Sequence, residues 1–313
     1  MDWGLTIAAL GIGVVVGLTG MGGGALMTPV LVLFFGIPPL TAVSSDLITS
    51  AAMKPVGSIV HMRRGTVHWR IVLWLVVGSV PAAFSGALII SAIGPIAGVN
   101  AFVKTALGVV LIVAAVGLVA RAYLQLVERQ RIARGEIAPR GEAESDVRVR
   151  VVPTVIVGVV GGLMVGLTSV GSGSLIIVAL MALYPVLSAN RLVGTDLVQA
   201  VPLVIAAAAG HLLYGDVDWA VVWPLIIGSV PGAFLGAQLS SRISGGIVRR
   251  ALAIVLVVAG LKLLGVSNTW TLVAAVATLV LGTVAWAFAR RRHGLRATHR
   301  AELRMRASQS AGD

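Results

Sequence analysis

Apolar residues come in long blocks, at roughly 4–20, 24–36, 40–61, 70–93, 99–120, 151–168, 174–187, 192–213, 219–241, 250–266 and 270–289, separated by short polar or glycine-rich breaks. Most blocks approach the ~20 residues that an α-helix needs to cross the hydrocarbon core of a bilayer. In lipid a helix satisfies its backbone groups within its own segment. The pattern therefore predicts an all-α, polytopic membrane protein. Two blocks, 24–36 and 174–187, are short for a crossing, and each follows a glycine-rich break, at Gly20–Gly24 and at Ser169–Gly173. These predict two glycine-tipped helical hairpins that are candidates for re-entrant segments.

The two hairpins belong to a longer internal repeat. Gly17-Leu18-Thr19 recurs as Gly166-Leu167-Thr168, and Gly22-Gly23-Gly24 recurs as Gly171-Ser172-Gly173. After a one-residue shift Asp46-Leu47 matches Asp196-Leu197, and His61 matches His211. Gly65, Val67 and Trp69 match Gly215, Val217 and Trp219, and Gly78-Ser79-Val80-Pro81 matches Gly228-Ser229-Val230-Pro231. So many identities at one offset establish a duplication. The expected division is a first membrane repeat over 1–120, a charged linker over 121–150, a second repeat over 151–266, an extra C-terminal span over 267–289 and a basic tail over 290–313. Each repeat holds a hairpin and three spans.

Charge sets the orientation. The net charge is +12, with the Arg residues gathered between the apolar blocks, where they mark cytoplasmic loops. The turn after His61 carries Arg63, Arg64 and Arg70; the equivalent turn after His211 carries Asp216 and Asp218 and no Lys or Arg. The two equivalent turns then lie on opposite sides, so the repeats are inverted. Arg121 to Arg150, Arg242 to Arg250 and Arg290 to Arg306 should all be inside. The expectation is a cell inner-membrane protein with its N-terminus outside and its C-terminus in the cytoplasm. A basic patch on a soluble domain is missing, which argues against nucleic acid as a partner. With no Cys in the chain, thiolate metal sites and Cys nucleophiles are excluded. Nothing in the pattern calls for a cofactor or a metal.

Short, glycine-interrupted segments at matching positions of inverted halves point to a transporter's binding site. A helix that begins at a glycine-rich tip offers unpaired N–H groups and the positive end of its dipole to an anion. The candidate substrate-binding residues are Thr19, Gly22, Gly23, Gly24, Thr168, Ser169, Gly171, Ser172 and Gly173, with Ser174 as a further hydroxyl; tight packing of the glycines is the plainer alternative. Gly22-Gly23-Gly24 lacks the Lys-Ser/Thr of a nucleotide loop. Of twelve carboxylates, Asp46 and Asp196 alone fall in or at apolar blocks away from loops and termini. They either couple transport or serve as helix caps and structural bonding groups, because Ser44-Ser45-Asp46 and Gly194-Thr195-Asp196 each precede an apolar run. Lys54, next to Pro55, either supplies positive charge to an anion path, which adds it to the candidates, or forms an ion pair with Asp46. Gln199 lies about one turn beyond Asp196. His61 and His211 close matching helices, where contact with headgroups or with helix-end carbonyls is the default. Lys104 and Lys262 are expected to snorkel. Pro81 and Pro231, with the small residues around them, mark scaffold or moving interface.

From about Gly11 to Leu264 the chain resembles the TauE/SafE sulfite exporter family, also called the 4-toluene sulfonate uptake permease family. The resemblance rests on Gly17-Leu18-Thr19-Gly20-Met21-Gly22-Gly23-Gly24, Gly65-Thr66-Val67-His68-Trp69-Arg70, Gly215-Asp216-Val217-Asp218-Trp219 and the paired Gly-Ser-Val-Pro segments. His68 stands where the family often has Asp. The resemblance implies a permease for sulfite, sulfonates or related organic acids, with the bilayer and a small anion as its partners and no enzymatic activity. The chain's own residues suggest a gradient-driven carrier in which protons are a candidate coupling ion. Two other readings are an intramembrane serine hydrolase, using Ser172 or Ser174 with His211 as base, and a non-transporting membrane scaffold.

Overall fold

The computed structural model describes residues 2–19, 23–93, 96–133, 135, 147–173, 175–239 and 245–292. Gly20, Gly22 and Ser174, residues 134 and 136–146 of the 121–150 linker and nearly all of the basic tail lie outside the described residues. The elements are α1 (Trp3–Thr19), α2 (Gly24–Phe34), α3 (Pro39–Arg63), α4 (Trp69–Ala92), α5 (Ile96–Ala133), α6 (Val151–Thr168), α7 (Leu175–Leu183), α8 (Ala189–Tyr214), α9 (Trp219–Leu239), α10 (Gly245–Leu263) and α11 (Asn268–Arg292). Among the described residues there is no strand.

The helices are wrapped inside out relative to a water-soluble bundle. Leu73, Val77, Val109, Val113, Val116, Trp223 and Leu272 are exposed, while Ser44, Ser45, Asp46, Thr49, Lys54, Asp196, Gln199 and His211 are buried. Apolar side chains outside and paired polar groups inside suit a hydrocarbon solvent. Five segments are long and apolar enough to cross a membrane: α4, α6, α9, residues 98–127 of α5 and residues 191–214 of α8. The 25-residue α3 is long enough but too polar to be among them. Its Ser, Thr, Asp and Lys side chains are screened by neighbouring helices, which makes it the core helix of the first repeat.

The duplication is visible as exchanged packing. The most extensive helix pairings are α1 with α9 and α4 with α6. Since α6 is the repeat of α1 and α9 the repeat of α4, each hairpin's first arm packs on the other repeat's fourth helix. Two further contacts come in matched sets too: α3 with α9 against α8 with α4, and α2 with α10 against α7 with α5. These are the contacts of an approximate two-fold arrangement.

The direction of the axis follows from α3 and its repeat α8. Ser44, near the start of α3, meets His211 near the end of α8, whereas His61, near the end of α3, meets Gly194 near the start of α8. The equivalent helices are antiparallel, so the two repeats face opposite ways. Glycine makes the exchanged interfaces close. A Cβ on Gly13 would sit 2.5 Å from the Ser229 carbonyl oxygen, and one on Gly158, in the mirrored interface, 2.5 Å from the Leu75 carbonyl oxygen. Small residues allow this approach of backbones, which stands in for the hydrophobic drive that lipid does not supply. α4 and α9 run unbroken through Pro81 and Pro231.

Candidate functional site

The second hairpin turns inside the bundle. α6 ends at Thr168, and Ser169 closes it in the left-handed region at φ 61°. That conformation is costly for a residue with a side chain and is held only where the surroundings demand it. Here it aims the hydroxyl of Ser169 at Asp46 on α3, with Oγ 2.6 Å from Oδ2. Gly171 and Gly173 follow at φ 140° and 91°, and α7 starts at Leu175. The first hairpin reaches the same place. A Cβ on Gly24 would lie 2.7 Å from Ser169 Oγ, so the described end of the first tip touches the second.

Asp46 is fully enclosed and richly bonded. Thr28 Oγ1 of α2 donates to Oδ2 at 2.8 Å, Ser169 donates to the same oxygen, and Ser50 reaches Oδ1 at 3.5 Å. Its repeat equivalent, Asp196, is built differently. Gln199 Nε2 donates to Oδ1 at 2.9 Å, and Ser79 Oγ donates to Gln199 Oε1 at 3.2 Å, which fixes the amide's orientation. Asp196 Oδ2 is buried and takes no side-chain hydrogen bond among the described residues; the backbone N–H of Gly173 is turned to this carboxylate.

Two cations meet this pair. Lys54 Nζ donates to Ser172 Oγ at 2.6 Å and interacts electrostatically with both Asp46 and Asp196. Arg121, on α5, is 5% exposed and donates from Nη1 to the Gly173 carbonyl at 3.4 Å. Among the described residues the buried charged groups, His211 apart, are these four: Asp46, Lys54, Arg121 and Asp196. All of them converge on the turn 169–173. The second tip is thus gripped by α3 through Ser169 and Ser172 and by α5 through Gly173.

Several expectations change on this geometry. Asp46 and Asp196 do not cap helices. α3 begins at Pro39 and α8 at Ala189, so both carboxylates lie about two turns inside. Ser188 is the residue that caps α8. His211 does not sit at a headgroup interface: it is fully buried, with Nε2 2.7 Å from the Gly166 carbonyl and Nδ1 2.8 Å from Ser44 Oγ. A carbonyl can only accept, so Nε2 carries the proton. Arg121, read above as the first residue of the linker, lies within α5, which continues to Ala133. Thr19 and Thr168 donate to the carbonyls of Val15 and Met164 in their own helices. Gly23 precedes α2 beside Met53, and Gly22 lies outside the described residues. The pattern of blocks missed Thr28, Ser50, Ser79 and Arg121. For Arg121 the blocks misled, because a charge at the end of an apolar run reads as the edge of the membrane. For Thr28 a signal existed: it lies one turn after Gly24 on the same face of a short arm.

The sulfite exporter TauE/SafE family model matches residues 5–263, from within α1 to the end of α10. The chain belongs to the TauE/SafE family. α11 begins at Asn268, beyond the matched region. The probable membrane transporter protein YjnA of Bacillus subtilis is 36% identical over 271 residues, covering 84% of this chain and 100% of that protein. The probable membrane transporter protein YdhB of the same organism is 26% identical, covering 81% and 96%. A probable membrane transporter protein of Xylella fastidiosa is 28% identical, covering 74% and 82%. No solved structure matches the chain. This TauE/SafE protein is therefore a multi-pass membrane transporter, not an enzyme.

Proposed function

We propose that this TauE/SafE protein is a carrier for small oxyanions of the sulfite and sulfonate type, and that the anion binds at the second hairpin tip. The observation that carries the reading is the buried Lys54–Ser172 pair at a glycine-flanked turn. An ammonium and a hydroxyl beside a glycine backbone are donors without competing water, which is what an oxyanion in a low-dielectric site requires. Arg121 on the far side of Gly173 adds a second positive field. The two repeats, 1–120 and 151–266, act as opposed halves around this point. The protein lies in the inner membrane with its N-terminus outside and its C-terminus in the cytoplasm, as the distribution of Arg implies.

A Ser–Lys pair can also act as nucleophile and base in hydrolases. The hydrolase reading above needs His211 as the base, and His211 is occupied by Ser44 and Gly166. The relatives described above are named as transporters. Uptake of labelled sulfite and methanesulfonate by proteoliposomes tests the carrier reading. Saturable uptake in the unaltered protein, abolished by Lys54→Met, is the expected result. Uptake unaffected by that change would place the anion elsewhere, and no flux of either anion would favour the scaffold reading.

A further inference from the structure

Asp46 and Asp196 occupy equivalent places in the two repeats, yet their surroundings differ in one respect that has a chemical consequence. Asp46 is an acceptor matched to three hydroxyl donors, from Thr28, Ser169 and Ser50. Both of its oxygens are in use, so a proton on either would require a hydroxyl to turn from donor to acceptor. Asp196 uses only Oδ1, with Gln199 held in place by Ser79. Its Oδ2 is buried with no side-chain donor among the described residues, only the backbone N–H of Gly173 being turned to the carboxylate, and Asp196 as a whole is 1% exposed. A buried carboxylate oxygen that has no side-chain donor is expensive to keep ionised. A proton on Oδ2 displaces no side-chain donor.

The charges at the tip give this a direction. Lys54 and Arg121 balance Asp46 and Asp196, so the buried group is neutral with all four ionised. Adding a singly charged anion would leave one uncompensated negative charge inside the bilayer, which costs several kcal/mol. Protonating Asp196 restores neutrality and turns Oδ2 from an acceptor that repels the anion into a donor. The charged groups that interact with Asp196 are Lys54 of α3 and Arg121 of α5. From α4 and the turn before it, His68 meets the neighbouring Thr195 through its backbone N–H. On α8 itself His211 is engaged at both ring nitrogens, and Asp46 lies across the tip.

We infer that Asp196 is the proton carrier of this transporter, taking one proton from water at Oδ2 for each singly charged anion bound at the Lys54–Ser172 tip and returning it when the anion leaves. Asp46 has the other role: it is a positioning residue that holds the tip through Ser169. Transport of a monovalent anion is then electroneutral symport with a proton. This inference rests on the anion-carrier reading above.

The test uses the full-length protein in proteoliposomes with a trapped pH dye and an inward gradient of labelled methanesulfonate, which is ionised at every working pH and so carries no proton itself. The expected result is acidification of the interior at one proton per anion, with no requirement for a membrane potential. In Asp196→Asn exchange of the labelled anion is slowed, since the side chain that faces the anion is altered, and whatever exchange remains leaves the interior pH flat. Acidification by Asp196→Asn at the wild-type ratio would overturn the assignment. Wild-type flux without acidification, or flux that follows sodium instead, would overturn the inference while leaving the carrier reading intact. No flux of methanesulfonate or sulfite in the wild type would remove the carrier reading and this inference with it. A second measurement needs no variant. Dicyclohexylcarbodiimide attacks protonated carboxyl groups in apolar sites, so labelling of the wild type at Asp196 should rise when methanesulfonate is added. Labelling at Asp46 in place of Asp196 would contradict the assignment.

Discussion

Equal residues in unequal company are the main result at the scale of single side chains. Asp46 and Asp196 were legible in the sequence as a repeated pair inside apolar blocks, because charge in such blocks is rare and expensive. Their difference was not legible, since it comes from Thr28, Ser169 and Ser79, residues brought in from other helices. Lys54 was legible for the same reason as the carboxylates, and its partner Ser172 lies 118 positions away in the other repeat. Two expectations follow. Ser172→Ala removes a donor from the proposed anion site and should raise KM for sulfite about tenfold, since a hydrogen bond to a charged group contributes about 1.5–3 kcal/mol. Labelled uptake over a concentration series measures it. Ser169→Ala leaves Asp46 short of a donor and should lower stability by about 1–3 kcal/mol. Thermal unfolding in detergent reads that loss, and an unchanged midpoint would show that the bond holds nothing in place.

The elements were the most readable level, and the reason is physical: a bilayer dictates helix length and forbids bare backbone. The eleven apolar blocks correspond to eleven helices among the described residues, and the short blocks became α2 and α7 behind glycine turns. What the blocks could not give was the outcome of helix–helix contact. They end the fifth span at 120, yet α5 carries on past the buried Arg121. Nor does a glycine disclose in sequence whether a neighbour's backbone presses on it. Gly17 and Gly11 are both glycines of α1, but a Cβ at Gly17 would lie 2.7 Å from the backbone nitrogen of Ala237, while one at Gly11 meets nothing within 4 Å. Gly17→Ala should therefore destabilise the exchanged α1–α9 interface by about 1–3 kcal/mol. Gly11→Ala should be neutral or stabilising by up to about 1 kcal/mol, as expected of a helix interior without crowding. Melting temperatures of the two variants in the same detergent test the contrast.

On the scale of the whole molecule the account stands on opposed repeats whose hairpin tips meet in the interior. The duplication and the opposed charge of the Arg63 and Asp216 turns were readable in the sequence. The exchange of partners, α1 onto α9 and α4 onto α6, was not, because identical repeats can pair within or across halves with the same pattern. The absence of native Cys makes a direct measurement simple. Single Cys residues replace Arg64 and Asp218, both exposed in their turns, and are labelled in intact cells with a maleimide that cannot cross the membrane. The account predicts labelling at position 218 and none at position 64 until the membrane is opened. Labelling of both, or of neither, in intact cells would put the two turns on one side and contradict it.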